Sequence, residues 1–252
     1  MRRGVALALS VGAAATLLAG CGGGDGGTDA RATPKSSVAT TPTTVVGTAP
    51  PTVAPTTVPV TVVPEFAVSV TPVTAAELGS SWREGCPVGP DQLRRITLSH
   101  WDFEGGARSG VLVVHADVAD VVTTIFRRLF DQRVAIRRIE PVDRYSGSDD
   151  ASMAADNTSA FNCRRAVTSG PAQWSAHAFG RAIDVNPVEN PYVFGGEVLP
   201  PQATPYVDRT NLRPGMAVPG SPLVEAFAAS GWQWGGRWTG SPDYQHFSAD
   251  GN

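Results

Sequence analysis

The chain has 252 residues, enough for one mid-sized domain with extensions, and 42% of them are apolar. Its formal net charge of −3 argues against a nucleic-acid binder, which would ordinarily be strongly basic. The apolar residues are unevenly spread, so the two ends of the chain call for different accounts.

Residues 1–20 read as an export signal. Arg2 and Arg3 supply the positive start, and "GVALALSVGAAATLLAG" supplies an apolar run too short to span a membrane comfortably. Leu18, Ala19, Gly20 and Cys21 resemble the bacterial lipoprotein cleavage box. That resemblance implies that Cys21 becomes the mature amino terminus and carries a diacylglycerol through a thioether. Two acyl chains anchor stably where one does not. The alternative is an ordinary secretory signal that happens to contain a cysteine. These features place the protein on the extracytoplasmic face of a cell membrane or in the wall beyond it.

From Gly22 to about Pro64 the chain is rich in Thr, Pro and Val and nearly free of aromatic residues. Such a composition buries no face, so residues 21–77 are expected to form a disordered tether. Fully extended, the stretch from Gly22 to Pro64 would reach on the order of 130 Å. Threonines beside prolines also suit O-glycosylation.

A folded domain is expected over 78–252. Val111 to Val114 form an apolar strand run, and beyond Asp117 the residues Val118, Val121, Val122, Ile125, Phe126 and Leu129 recur at helical spacing. "VAIRRIEPV" and "TSAFNCR" read as strands, and so does "GRAIDVNP". "SPLVEAFAASG" reads as a helix opened by Ser221 and stopped by Gly231. Helices that interleave with short strands in no βαβ series indicate α+β, with helices packed on a small, mostly antiparallel sheet. A monomer is expected. Cys86 and Cys163 are an even pair in an oxidising compartment, most simply a disulfide. The rival role for Cys163 is a metal ligand.

In "GRAIDVNP" alternation sends Ile183 and Val185 to one face and Ala182, Asp184 and Asn186 to the other. Gly180 permits a tight turn that folds His177 over the face of Asp184. His246 comes from the final strand, with Phe247 directed inward. Two imidazoles and a carboxylate suit zinc, with a fourth position left for water.

"SAHAFGRAID" matches the SxHxxGxAxD signature, and "GWQWGGRWTGSPDYQHF" resembles the closing segment, of zinc D-alanyl-D-alanine carboxypeptidases and related L-alanyl-D-glutamate peptidases. The resemblance runs over roughly residues 80–250. It implies a hedgehog/D,D-peptidase-like fold, a zinc ion on His177, Asp184 and His246, and Asp243 as general base where many relatives carry glutamate. It also implies peptidoglycan stem peptides as substrate, cut by either a carboxypeptidase or an endopeptidase. Relatives carry an arginine where Asn162 stands here, so Asn162 or the nearby Arg164 is the candidate substrate contact. Ser175 either orients substrate or a ligand, or caps a loop. "SMAADNTSAFN" resembles a cleft-lining segment of some relatives, with Ser152, Asp156 and Asn157, but reads equally as a polar loop. Trp232 and Trp234 are expected in the core, and Gly235 and Gly236 are expected to let a substrate backbone approach. His100 and His115 fall outside both motifs and read as structural. The alternative function is a non-catalytic, zinc-containing wall-binding lipoprotein of the same fold.

Overall fold

The computed structural model describes residues 64–167 and 170–251. The expected export signal, Cys21 and the tether up to residue 63 lie outside the described residues. In chain order the elements are β1 (Val68–Pro72), α1 (Ala75–Leu78), β2 (Leu93–Trp101), β3 (Ala107–His115), α2 (Ala119–Asp131) and α3 (Asp149–Ala154). They continue with β4 (Ala182–Asp184), β5 (Tyr192–Phe194), β6 (Glu197–Leu199), α4 (Pro222–Ala228), β7 (Gln233–Trp234) and β8 (His246–Ser248). The named strands form two three-stranded sheets, β1-β2-β3 and β4-β8-β7, and a β5-β6 hairpin. Every pairing within them is antiparallel, as an α+β chain of this kind requires. No helix among the described residues is long and apolar enough to cross a membrane.

One strand precedes residue 78, where the folded domain is expected to begin. β1 lies ahead of Leu78, paired with β2 from Val68↔Leu98 to Pro72↔Arg94. Val68 and Val70 alternate with Ser69 and Thr71, but all of its residues are exposed, so backbone pairing rather than a buried face makes it a strand. Two expected strands are instead extended connections. Residues 134–142 make isolated bridges, Ala135 to Trp101 and Ile139 to Thr158. The buried segment 158–163 joins the two larger sheets: Phe161 N–H donates to Val113 O of β3, and Ser159 exchanges backbone bonds with Asp184 of β4. "SMAADN" is partly helix rather than loop. Ser148 caps α3 by accepting from Ala151 N–H, and Asp149 and Asp150 sit in its first turn.

β2 and β3 alternate between two cores. Ile96, Leu98, Leu112 and Val114 face the main core, while Leu93 and Val113 face a smaller one with Val73, Leu78, Phe161 and Cys163. The helical spacing in α2 buries Val122, Ile125, Phe126 and Leu129 on the main core, where Phe227 of α4 meets them. Ser221 caps α4 and accepts from Val224 N–H. Phe247 of β8 stacks on Phe227 with ring centroids 4.0 Å apart. Trp232 and Trp234 are buried in the same cluster. Burying aromatic rings of this size supplies much of the drive to close the two sheets around the helices.

Cys86 and Cys163 are bonded, with Cα atoms 5.8 Å apart and a sequence separation of 77. The sulfur of Cys163 is therefore spent in the smaller core and is not a metal ligand. A loop of that length adds about 4–5 kcal/mol in the chain-entropy account.

Asn186 does not share the face of Asp184. Its φ of 47° breaks the alternation, and its side chain bonds the backbone at Arg137, Ala135 and Gly215. Beyond it, burial and then the neighbouring Asp156 charge raise the Glu189 carboxyl from 4.5 to about 8. The folded protein thus holds a proton that the unfolded chain releases near pH 4.5, so this stability is whole below that value and is lost as pH rises through about 8. Glu189→Gln should flatten the fall in unfolding free energy that urea titrations reveal between about pH 5 and 8. Equal falls in the two proteins would remove Glu189 as its source.

Candidate metal centre

The site begins with a strand register. β4 and β8 pair as Ala182↔Ser248, Ile183↔Phe247 and Asp184↔His246. Alternation sends Ile183 and Phe247 into the main core and leaves Asp184 and His246 side by side on the opposite face.

His177 reaches them from a 3-10 turn, Ala176–Phe179. Ser175 opens that turn by accepting the His177 N–H, and Gly180 closes it at φ 68°. A Cβ on Gly180 would lie 2.6 Å from His115 N, so only glycine fits there. The imidazole is aimed by the segment 158–163. Its Nδ1 donates to Ala160 O at 2.6 Å, which leaves Nε2 as the nitrogen with a lone pair facing the cluster.

His177 Nε2 lies 3.2 Å from His246 Nδ1, and each nitrogen lies 3.2 Å from one oxygen of Asp184. Tetrahedral zinc, with ligand bonds of about 2.0–2.1 Å, spaces its ligand atoms by about 3.3 Å. Among the described residues this is the one cluster whose donor atoms could hold a metal ion. The three residues are only 2%, 3% and 5% exposed (His177, Asp184 and His246). Burial pushes the Asp184 carboxyl up, but the two histidines outweigh it and hold the group below the ordinary carboxylate range. Donor types, spacing and burial all fit a zinc ion.

Asp243 stands beside the cluster, with its N–H donating to Gly235 O. It is 8% exposed, and its Oδ1 has no hydrogen-bond partner among the described residues. Burial first, and then the charge of Asp184, raise its carboxyl from 3.8 to about 7, with His246 and Arg164 pulling the other way. A cleft of about 590 Å³ opens over this floor, lined in part by Ser175, His177, Asp243, His246, Tyr192 and Trp238.

The remaining candidates divide. Ser175 and Arg164 line the cleft; Asn157 and Asn162 do not. Asn157 is fully buried and spends its amide on Glu140 and Ser152, while Asn162 donates to Gly147 O. Ser152 and Asp156 likewise lie outside the cleft lining. His115 bonds Asp117, and burial holds His100 below its ordinary range. Gly235 and Gly236 make room for protein rather than for substrate. A Cβ on Gly236 would meet the Trp234 ring at 2.2 Å, and one on Gly235 would meet Asp243 O at 2.8 Å and the His246 Cβ at 3.3 Å. Asp149, which no motif singled out, lines the cleft and holds Arg164 Nε at 2.9 Å. Ser148 followed by paired acids was the available sequence signal for the helix that carries it.

Both motifs and their geometry fall within one stretch of chain. Residues 168–249 match the D-alanyl-D-alanine carboxypeptidase family. The carboxypeptidase match is shorter than the stretch over which the resemblance was read, but it spans His177, Asp184, Asp243 and His246. The matched family is one of peptidases. No curated protein and no solved structure gives a significant match.

Because Gly235 packs on the backbone of Asp243, Gly235→Ala should destabilise the fold by roughly 1–3 kcal/mol. Thermal unfolding at matched conditions measures this. A change within error of zero would mean that the close approach is not maintained in solution.

Proposed function

We propose that this protein is a lipid-anchored, extracytoplasmic zinc metallopeptidase that hydrolyses peptidoglycan stem peptides, on a fold of the hedgehog/D,D-peptidase group. One observation carries the proposal: His177 and His246 of the buried His177–Asp184–His246 cluster line one cleft with Asp243, whose buried Oδ1 has no hydrogen-bond partner among the described residues. The carboxypeptidase-family match over the same residues supports it.

His177, Asp184 and His246 would hold the metal through Nε2, a carboxylate oxygen and Nδ1. Zinc bound there supplies Lewis acidity and lowers the pKa of water to about 7. Asp243 takes the proton of the attacking water on its carboxylate and returns it to the leaving amine nitrogen. Arg164, paired with Asp149 at the cleft wall, is placed to contact the substrate there. Ser175 sets the backbone of the His177 turn and presents that turn to the substrate. The burial of the floor keeps bulk water from competing for these hydrogen bonds. The lipid at Cys21 and the long Thr/Pro/Val tether suit a substrate that is a fixed polymer outside the membrane.

Asp243→Ala should keep stoichiometric zinc while hydrolysis of purified peptidoglycan falls roughly 10²–10⁴-fold, the scale of lost acid–base catalysis. A wild-type rate in that variant would end the role assigned to Asp243. His177→Ala should lose the metal, read by elemental analysis after dialysis, and retained zinc would refute the ligand set. Mass spectrometry of stem peptides released by the wild-type protein tests the function as a whole and identifies the bond cut. No new fragment from any stem bond would sink it.

A further inference from the structure

The charges around the cleft do not match its floor. At the floor, Asp184 and Asp243 would together meet the two positive charges of a zinc ion. Higher up, the lining carries Asp149, Asp150 and Asp250 against Arg164 and Arg181. Neither arginine is available as an unpaired cation. Arg164 is bound by Asp149 at 2.9 Å, and Arg181 is bound by Asp117 and, at 3.8 Å, by Asp250. Asp150 is exposed and makes no ion pair among the described residues. The rim is therefore net negative: Asp149, Asp150 and Asp250 stand against Arg164 and Arg181, and Asp117, outside the lining, takes up part of the Arg181 charge. The buried Asp243 oxygen without a partner is a separate sign that a ligand group belongs in this cavity.

From this geometry we propose that the cleft selects its peptide by a free ammonium group close to the scissile bond, of the kind a diamino-acid side chain supplies, and offers no anchor to a free C-terminal carboxylate. The inference rests on the peptidase function proposed above and adds the substrate's charge to it. A cleft lined by one sign of charge concentrates ligands of the other, and an ammonium donates charge-assisted hydrogen bonds to carboxylates. A terminal carboxylate entering the same space meets arginines whose charge is already neutralised, and is repelled by Asp150.

The test uses the full zinc-loaded chain and one synthetic stem peptide in matched forms, with the side-chain amine free or acetylated and the C-terminal carboxylate free or amidated. Calorimetry gives Kd, and product formation gives kcat/KM. Acetylating the amine should weaken binding about three- to tenfold, the scale of a partly exposed ion pair, and raised salt should shrink the difference. Amidating the carboxylate should leave binding unchanged or tighten it. Asp150→Asn should reduce the preference for the free amine. Equal Kd values for the free and acetylated amines, or weaker binding on amidation, would overturn the proposal. Cleavage of both amine forms at equal kcat/KM would overturn it and leave the peptidase function standing. Binding with the amine preference but no cleavage would support it and remove the peptidase function.

Discussion

The antiparallel register of β4 on β8 is the constraint on which the site depends. Because Ile183 opposes Phe247, both side chains can enter the main core, and Asp184 and His246 are then forced together on the other face. A slip of one residue would turn every side chain of the strand over, placing a carboxylate against Phe227 and apolar groups in the cleft. The hydrophobic cost of that exchange sets the position of two candidate ligands. Phe247, stacked on Phe227, thus helps fix the candidate metal centre from the opposite face of the strand.

The third candidate ligand depends on a different device. His177 is held at its backbone by Ser175 and Gly180 and at its ring by Ala160 O. Ala160 belongs to the buried segment that bonds β3 on one side and β4 on the other. Cys163, at the end of the same segment, is tied to Cys86 and accepts a hydrogen bond from Arg83 at its carbonyl. One short stretch therefore couples the two larger sheets, aims an imidazole and delivers Arg164 to the cleft wall. Its residues are nearly all buried, so the stretch behaves as part of the core even though it lacks the pairing of a named strand.

Electrostatics follow from where these groups end. Asp184 lies between two imidazoles, while the buried Asp243 feels the charge of Asp184, so the two carboxylates are pushed in opposite directions. Such a split between neighbouring acids is the usual mark of a division of labour between a ligand and a proton carrier.

Several features were legible in the chain itself, because they rest on local spacing. Alternation marks Ile183 and Val185 as core and separates Asp184 from them, helical spacing marks the buried face of α2, and the two cysteines have no simpler use than each other. The spacing in "SAHAFGRAID" and "SPDYQHF" singled out His177, Asp184, Asp243 and His246 before any geometry was at hand. β2 carries a local signal too, since Ile96, Leu98 and His100 alternate inward. Other features depend on contacts across the fold. β1 alternates but buries neither face and is held by its pairing with β2, and Asn186 leaves the face of Asp184 because three backbone groups claim its amide. Gly235 and Gly236 serve the packing of Asp243 and Trp234, and Arg164 rather than Asn162 reaches the cleft, with Asp149 holding it there. The sequence by itself determined which residues are the candidates for the chemistry, because periodicity and motif spacing are properties of neighbours along the chain. Only the tertiary structure decided which of them meet and what charge surrounds them, because those contacts join residues that the chain keeps far apart.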